Sequence, residues 1–374
     1  MAVVKFRKLA VDPDNKCEAC GVFDVNGDGV ADIVCGEYWY EGPDYAKKHK
    51  ICSIPYDGNY VWDFSDYPLD VNSDGRPDII TGSWWSEGVF WRENPGATAC
   101  GGEGGGPAEW ATHKITACSN VETIRYFDID GCGTVEIFPN CPNEPAFFLK
   151  LITDAGGGGT GAFDKYVIGV DKAGHGMGFG DIDGDGKTEV ILCRGILHMP
   201  EGGPLAGAWS MSEEFELERG PSVPLLAHDV NGDGLVDIIA GAGHGYGLFW
   251  YEQGLGADGG RTWKRHTIDG AWAQYHDMQL ADIDDDGDLE LVTGKRWKAH
   301  NGNDPGDSDP VFICYYKFKN GNACRYVIEY GDAEAGYSGV GIYFQLADLA
   351  GGGRLDLVAP GKEGLYVFYN EGCQ

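Results

Sequence analysis

A chain of 374 residues that is 43% hydrophobic can bury a full core, and its length alone allows more than one domain. Its formal net charge of -31 argues against nucleic acid as a partner, because both molecules would be polyanions. No apolar run approaches the roughly 20 residues that cross a membrane, and the opening Met-Ala-Val-Val-Lys-Phe lacks the pattern of a secretory signal. These features predict a soluble protein and leave its compartment and oligomeric state open.

Glycine and cysteine usage narrow the fold class. Sixty glycines and 12% aromatic residues are typical of many short strands joined by tight turns. The twelve cysteines are scattered, and Cys17 and Cys20 form a C-x-x-C without a second pair, which argues against a zinc ribbon. We expect most of the thiols to be buried, because cysteine packs well in protein interiors. The sequence does not decide whether Cys17 and Cys20 are bridged.

One short motif recurs along the chain. Its clearest copy opens at Asp229 with D-V-N-G-D-G and carries a further acid at Asp237. Oxygen-bearing side chains at the first, third and fifth positions, followed by a glycine that allows a sharp turn, suit a hard cation such as Ca²⁺. The flanking residues are apolar and β-branched, so the loop is predicted to join two strands. This argues against an EF-hand, which has helices on both sides and a longer loop.

The motif divides the chain into repeats. Its copies open at Asp24, Asp70, Asp128, Asp181, Asp229, Asp282 and Asp348, at intervals of 46 to 66 residues. Repeats of this size indicate a propeller, a solenoid or an array. In each repeat one strand precedes the loop and a second leaves it; an aromatic third strand such as 247–250 and a fourth such as 263–268 follow. Four strands in each of seven units predict an all-β, seven-bladed β-propeller.

The chain ends are predicted to complete the last blade. The final unit stops at 364–370 without a fourth strand, and residues 3–9 form a spare strand before the first loop. Pairing the two would close the ring and make residues 1–374 a single propeller domain. The glycine-rich runs at 101–106 and 156–159 are predicted to be loops.

The D-x-[DN]-x-D-G-x-x-[DE] repeats resemble the FG-GAP/VCBS propeller family, which includes the head of the integrin α-subunit. The resemblance covers all seven units and implies the propeller fold. It does not choose a function, because the family includes adhesion modules, lectins and enzymes.

Five of the seven loops keep every oxygen and predict up to five structural Ca²⁺ sites. The third copy has Cys132 in place of an oxygen and the seventh has lost two, so we expect both to be empty. Alternatively, Asp and Asn simply make the turns by bonding their own backbone. The predicted calcium ligands are Asp24, Asn26, Asp28 and Asp32; Asp70, Asn72, Asp74 and Asp78; Asp181, Asp183, Asp185 and Glu189; Asp229, Asn231, Asp233 and Asp237; and Asp282, Asp284, Asp286 and Glu290.

Strand direction predicts a second face, opposite the acidic loops, that is rich in histidine. His175, His198, His244, His276 and His300 are expected there, whereas His49, His113 and His266 occupy a repeated fourth-strand position and are expected to be structural. Several imidazoles that converge suit Zn²⁺ or another divalent transition metal. His175, His244 and His276 are the predicted ligands. The alternative is that each His caps a strand end and bonds a carbonyl oxygen.

The same face carries groups that suit a carbohydrate. Trp39, Trp84, Trp85 and Trp297 offer flat apolar surfaces, and Arg125, Arg194, Lys295 and Arg296 offer cations for a carboxylate or an enolate. The alternative is that the Trp side chains pack between blades. The sequence has no G-x-S-x-G, P-loop or Rossmann fingerprint, and its acidic pairs are too numerous to single out a glycosidase pair.

A closer resemblance concerns Y-H-D-M-Q-L-A-D-I-D-D-D-G from Tyr275 and W-R-E-N-P from Trp91. Both segments are similar to the propeller domain of fungal aldos-2-ulose dehydratases. The cupin and lectin portions of those enzymes have no counterpart here, which leaves the second, isomerising step without support. The resemblance implies a catalytic zinc in the propeller cleft and the removal of water from keto-sugars.

We therefore predict a metal-dependent carbon–oxygen lyase that acts on a sugar or keto-sugar, as a dehydratase or a polysaccharide or glycoside lyase. The metal would polarise a ketone and acidify the adjacent C–H, and His300, Tyr246 or Tyr275 would move protons. Lys295, Arg296 and the Trp residues would hold the sugar. The alternative is a non-catalytic propeller of the lectin or adhesion type that binds carbohydrate or protein.

Overall fold

The computed structural model describes residues 3–96 and 109–373. Within them the chain is all-β, with two single-turn 3-10 helices at Ala299–Asn301 and Ala333–Ala335. No helix among these residues is long and apolar enough to cross a membrane. The glycine run at 101–106 lies outside the described residues, whereas residues 154–158 form the predicted turn at the second run.

The described strands are mostly short, as the spacing of glycine and turn residues predicts. In chain order they are β1 (Val4–Asp12), β2 (Gly21–Phe23), β3 (Asp32–Cys35), β4 (Tyr38–Glu41), β5 (Lys47–Lys50), β6 (Tyr56–Asp57), β7 (Tyr60–Val61), β8 (Tyr67–Leu69), β9 (Asp78–Gly82), β10 (Val89–Glu93), β11 (Ala111–Thr116), β12 (Thr123–Phe127), β13 (Glu136–Asn140), β14 (Pro145–Thr153), β15 (Gly159–Lys172), β16 (Met177–Gly180), β17 (Glu189–Leu192), β18 (Gly195–His198), β19 (Ser210–Ser212), β20 (Leu225–His228), β21 (Asp237–Gly241), β22 (Tyr246–Leu255), β23 (Arg261–Ala273), β24 (Met278–Ala281), β25 (Glu290–Gly294), β26 (Val311–Lys319), β27 (Asn322–Gly331), β28 (Gln345–Ala347), β29 (Asp356–Gly361) and β30 (Gly364–Cys373).

The chain forms two compact units. The first comprises Met1–Ile124, Leu149–Lys165 and Val340–Gln374, and the second comprises Arg125–Phe148 and Tyr166–Gly339. The prediction of a single domain over 1–374 stays a prediction.

Most sheets have four strands in consecutive order. The first unit contains β2-β3-β4-β5, β11-β10-β9-β8, β1-β30-β29-β28 and the small hairpin β6-β7. In the second unit β24-β25-β26-β27 is separate, whereas β16 to β19 and β20 to β23 are joined through a short parallel pairing of β16 with β20. A further four-stranded sheet has the order β12-β13-β14-β15. Small antiparallel sheets of this kind agree with the predicted four-stranded repeats.

Strand β1 pairs antiparallel with β30, the strand furthest from it in sequence. Val4 lies opposite Cys373 and Leu9 opposite Val367. The Nζ of Lys8 lies 4.2 Å from the centre of the Tyr366 ring, so a cation–π contact links the two strands. The N-terminal strand therefore supplies the fourth strand that the last repeat lacks.

The acidic motif makes a recurring turn at the end of each first strand. In the copy at Asp229 the carboxylate accepts hydrogen bonds from the backbone N–H of Gly232 at 2.7 Å and of Gly234 at 2.8 Å. The ninth residue, Asp237, is fully buried and accepts from the N–H of Val230 at 2.9 Å and of Gln253 at 2.8 Å. The first and ninth acids thus fasten the loop to the strands around it.

Three histidines of the fourth strands pack in one repeated way. Each ring stacks on a Trp of the neighbouring third strand, and its Nε2 lies within hydrogen-bond distance of a Glu on that strand. The sets are Trp39, His49 and Glu41; Trp91, His113 and Glu93; and Trp250, His266 and Glu252. This packing agrees with the structural role expected for these histidines.

Apolar residues of the second unit fix the strand ends that carry its functional side chains. One cluster contains Ile239 of β21, Leu248 of β22 and Met278 of β24, all fully buried. Because buried residues hold these strands on the core, the short segments after β21 and before β24 have defined positions.

Candidate metal centre

Three histidine rings of the second unit converge at the ends of its strands. His175 precedes β16, His244 lies in the turn between β21 and β22, and His276 lies in the link from β23 to β24. The centre of the His175 ring lies 5.0 Å from that of His244 and 5.3 Å from that of His276, and the other two centres are 5.5 Å apart. Residues separated by 101 positions in sequence therefore share one small cluster.

Glycines leave the space that these imidazoles occupy. A Cβ on Gly220 would lie 2.8 Å from Cδ2 of His244, and one on Gly243 would lie 3.2 Å from Cδ2 of His276. Gly220 also has a φ of +64°, which disfavours other residues. The His276 side chain is fully buried, and its backbone carbonyl accepts a hydrogen bond from the N–H of Val223 at 3.0 Å. The rings are therefore held by backbone as well as by side-chain packing.

The donor atoms have the spacing of metal ligands. Nε2 of His244 and Nε2 of His175 are 3.2 Å apart. Two nitrogens bound tetrahedrally to zinc at ordinary bond lengths would be about 3.3 Å apart. One ligand atom from each of His175, His244 and His276 can be chosen so that all three lie within 4.8 Å of one another. The residues present fit a divalent transition metal, and three protein ligands are typical of zinc sites that keep one position open.

Asp304 lies behind this cluster and contacts two imidazoles. Its Oδ2 is 2.8 Å from Nδ1 of His244, and its Oδ1 is 2.8 Å from Nδ1 of His300. Burial would raise the pKa of Asp304, but the hydrogen bonds from His244 and His300 outweigh it and lower the pKa to about 2. An ionised Asp304 favours the proton of His244 on Nδ1, which leaves the lone pair of Nε2 directed at the cluster.

His300 forms the exposed side of the arrangement. Its ring stacks on that of His244 with centres 4.5 Å apart and an angle of 22°, and its side chain is 61% exposed. It belongs to the 3-10 turn Ala299–Asn301 and has a left-handed φ of 46°. His300 is therefore a solvent-accessible imidazole held against the partly buried imidazole of His244.

Lys295 and Tyr246 contact the segment that presents Asp304. The fully buried Lys295 donates from Nζ to the carbonyl oxygens of Gly306 at 2.5 Å and Asp309 at 2.6 Å. The hydroxyl of Tyr246 donates to Asp309 Oδ2 at 2.7 Å, and this bond raises the pKa of Tyr246. These contacts support the loop, whereas the sequence analysis predicted that Lys295 would hold the sugar and that Tyr246 would move protons.

Tyr275, Arg125 and Arg194, the other predicted polar groups of this unit, bond partners other than the three clustered histidines. Tyr275 is fully buried, its hydroxyl lies 2.9 Å from that of Tyr316, and burial raises its pKa. Arg125 donates to Asp277 Oδ1 at 2.8 Å, and Arg194 lies on the surface with Nη2 3.4 Å from the carbonyl oxygen of Lys172.

Arg296 and Trp297 follow the second strand of their repeat. Arg296 is 3% exposed, and its backbone N–H donates to the carbonyl oxygen of Gln274 at 3.0 Å. Trp297 has the Nζ of Lys298 4.1 Å from its ring centre. A role for these residues in binding substrate stays a prediction.

The remaining predicted Trp residues belong to the first unit. Trp39 is 4% exposed and stacks on His49. Trp84 and Trp85 are partly buried against Tyr60, Phe64 and Ile342. Packing accounts for the position of Trp39, and the other two keep part of their surface in solvent.

The prediction for His198 was wrong. Its Nδ1 lies 3.5 Å from Asp183 and 4.0 Å from Glu189, both in the acidic loop that opens at Asp181, and its Nε2 lies 2.8 Å from the Ser212 hydroxyl. The residue ends β18, a third strand that runs back towards the loop. The sequence analysis had placed it near the end of a second strand.

One of the acidic loops already holds a cationic side chain. The Nζ of Lys317 lies 2.5 Å from Asp284, 2.6 Å from Asp286 and 3.4 Å from Glu290. Burial would lower the pKa of Lys317, but its hydrogen bonds to Asp284 and Asp286 raise it above the ordinary value. An ammonium group thus lies among the carboxylates that the sequence assigned to calcium. Lys317 lies on β26, and only strand pairing brings it there.

Comparison with known proteins agrees with the motif. Residues 229–293 match the model of the FG-GAP-like repeat. No curated protein matches the chain. BBS1N in complex with ARL6DN, from a crystal soaked with lead, is 12% identical with a TM-score of 0.55, over 98% of this chain and 96% of the other. The same complex from a crystal soaked with mercury is 12% identical with a TM-score of 0.51, over 97% of this chain and 94% of the other.

A third structure is the Bacillus licheniformis rhamnogalacturonan lyase PL11, with 13% identity and a TM-score of 0.45, over 98% of this chain and 72% of the lyase. The repeat match identifies residues 229–293 as an FG-GAP-like repeat, and the likeness to the two BBS1N structures agrees with a β-propeller type of fold. The likeness to aldos-2-ulose dehydratases stays a prediction.

Proposed function

We propose that the protein is a metal-dependent carbon–oxygen lyase acting on a sugar or keto-sugar, built on a ring of seven four-stranded blades that β1 closes. The convergence of His175, His244 and His276 carries this proposal, because it is a donor set that binds Zn²⁺ or a similar ion. The resemblance to aldos-2-ulose dehydratases supports the reaction class. A bound metal would supply polarisation of a carbonyl group and so acidify the adjacent C–H.

The residues around the cluster supply the remaining functions. His244 is oriented by Asp304, so its Nε2 is directed at the cluster. His300, stacked on His244 and open to solvent, is placed to take a proton and pass it to water. Lys295 donates to two carbonyl oxygens of the loop 304–309 and so helps to hold Asp304, which lies in that loop. Trp297 provides a flat surface against which a sugar ring can stack.

Elemental analysis after dialysis without chelator tests the metal. We expect the site formed by His175, His244 and His276 in the parent protein to hold about one equivalent of zinc, manganese, iron or nickel. His276→Ala and His244→Ala should each lose that equivalent. His266→Ala, which removes an imidazole stacked on Trp250, is the matched control and should retain it.

The His276→Ala variant could fail to fold, because His276 is buried. The His244→Ala variant would then still test the metal site, since His244 is partly exposed. A parent protein without transition metal even after zinc is added back would overturn the proposal. A loaded protein should then be screened with keto-sugars for an ultraviolet-absorbing enone. Loading without any such product would keep the metal site and reject the lyase.

We propose in addition that Ca²⁺ binds the intact acidic loops as a structural ion. Those opening at Asp24, Asp70, Asp181 and Asp229 keep oxygens at all positions. The loop at Asp282 is the weakest of the five, because Lys317 competes for its carboxylates.

A non-catalytic protein-binding propeller is the second candidate. The observation that favours it is the structural neighbour BBS1N, whose crystal contains ARL6DN as a partner. Under this hypothesis His276→Ala changes neither metal content nor the binding of any ligand. Calcium alone in the parent protein, with no transition metal taken up, would make it the better account.

A further inference from the structure

A second cluster of potential ligands lies in the interior of the first unit. It contains the thiols of Cys17 and Cys35 and the carboxyl groups of Asp63 and Asp66, all exposed by 1% or less. Ligand atoms of Cys17, Asp63 and Asp66 lie within 4.8 Å of one another. Cys35 ends β3 and its thiol shares a hydrogen bond with that of Cys17. Cys20, the other half of the C-x-x-C, instead bonds the carbonyl oxygen of Val358 at 3.7 Å.

The two carboxyl groups of this cluster differ in how they are satisfied. Asp63 accepts from the Thr81 hydroxyl at 2.6 Å and from Nη1 of Arg92 at 2.7 Å. Asp66 accepts at Oδ2 from the N–H of Gly36 at 3.4 Å, but no donor among the described residues bonds its Oδ1. Buried carboxyl oxygens are nearly always hydrogen-bonded or bound to a cation, so this oxygen marks a ligand position.

The charges of the cluster leave room for another cation. Arg92 is the guanidinium that faces both carboxyl groups, 2.7 Å from Asp63 and 3.7 Å from Asp66. Its single charge offsets one carboxylate. Two thiols beside the second carboxylate form a mixed sulfur and oxygen donor set, which suits a borderline cation such as Zn²⁺ better than Ca²⁺.

A surface cavity borders this donor set at Cys17. It has a volume of about 230 Å³, and its lining includes Cys17, Gly36, Glu37 and Tyr56. Cys17, which is 1% exposed, therefore borders a surface cavity from which a cation could approach the cluster.

We propose that Cys17, Cys35 and Asp66 bind a zinc-like cation in the first unit, with Asp63 as a further carboxylate within reach. Binding requires thiolates, so each bound cation displaces the two thiol protons into solvent. The ion would link the segment before β2, the end of β3 and the segment before β8. This site contains no imidazole and does not depend on the histidine centre of the second unit.

Cobalt is the probe that separates the two centres. Co²⁺ added to chelator-treated protein should produce a thiolate-to-metal charge-transfer band in the near ultraviolet, because only thiolate ligands give one. Cys17→Ser should abolish the band. Cys314→Ser, which alters a buried thiol of the second unit, and His244→Ala should both keep it.

Asp66→Asn keeps the shape of the side chain and removes its charge, so it serves if Cys17→Ser fails to fold. We expect its affinity for zinc at this site to fall by at least about tenfold. The proposal is overturned if the parent protein shows no charge-transfer band, if Cys17→Ser retains the band, or if the mass of the non-reduced protein reveals a disulfide between Cys17 and Cys35.

Discussion

The acidic loops at Asp229 and Asp348 make the same turn from different residues. In both, the first acid accepts from backbone N–H groups four and five residues later, at 3.2 and 2.8 Å in one loop and 3.0 and 2.7 Å in the other. In both, the buried ninth acid bonds the N–H after the first acid, at 2.9 and 3.1 Å. Yet the second loop has Ala350 and Gly352 where the first has Asn231 and Asp233.

The comparison separates two jobs within one motif. The first and ninth acids make the turn and suffice for it, since the Asp348 loop forms without oxygens at the third and fifth positions. The turn therefore does not require oxygens at those two positions, although Asn231 and Asp233 also accept backbone N–H bonds where they are present. We propose that binding a cation is their further role. The Asp282 loop is a third case, in which Lys317 lies among the carboxylates.

The largest effect should come from the part that the two loops share. Replacing Asp237 or Asp356 with Ala leaves two buried N–H groups without their acceptor, because each carboxylate bonds one in its loop and one in a neighbouring strand. We expect each variant to lose about 2–4 kcal/mol in the free energy of unfolding, measured by urea denaturation without calcium. The exposed Asp164→Ala should change little. A neutral Asp356→Ala would show that the two turns are stabilised differently.

The next effect should separate the loops. Asp233→Ala removes the fifth-position carboxylate of the loop that opens at Asp229. Gly352→Ala changes the fifth position of the Asp348 loop, where the added methyl group meets open space. Calcium at one hundred times its dissociation constant stabilises a one-site protein by about 2.7 kcal/mol. We expect Asp233→Ala to lose up to that amount of calcium-dependent stability, measured by thermal denaturation with and without the ion. An unchanged calcium response in this variant would contradict a site at Asp229.

Lys317→Met tests the loop that holds its own cation. Without calcium, removing the ammonium leaves Asp284, Asp286 and Glu290 facing one another, and we expect a loss of about 2 kcal/mol. Saturating calcium should restore most of it, because the ion takes the vacated place. Lys319→Met, near the end of the same strand, is the control. A loss that calcium does not reverse would argue against any ion site at Asp282.

The smallest effect should be a gain in calcium-dependent stability from a calcium site added to the Asp348 loop. The double change Ala350→Asn and Gly352→Asp gives the Asp348 loop the oxygens it lacks, and Gly352 has open space around it and no left-handed φ. At ten times its dissociation constant, one added calcium would contribute about 1.4 kcal/mol. Calorimetric titration should show one more bound ion than in the parent. An unchanged stoichiometry would mean that oxygens in the right places do not suffice.

The repeated turns could be predicted because each repeat contains its own first acid, glycine and ninth acid within ten residues. His175 and His276 could be identified because both stand six residues before a first acid. Asp304 could not be identified, since it lies in a loop outside the repeated pattern. Its contact with His244 depends on the path of the chain after the 3-10 turn Ala299–Asn301. Lys317 depends on strand pairing in the same way. His198 was misplaced because the direction of a third strand, and not spacing along the chain, decides which end it reaches.

The pairing of β1 with β30 also bears on how the molecule is made. The first unit draws on segments from both ends of the sequence, whereas the second is complete once residue 339 has been synthesised. On a ribosome, β1 emerges before β30 and lacks this partner until the residues between the two strands have followed. During that interval the edge of β1 lacks its partner strand, and we expect its lysines and arginine to disfavour pairing with other chains.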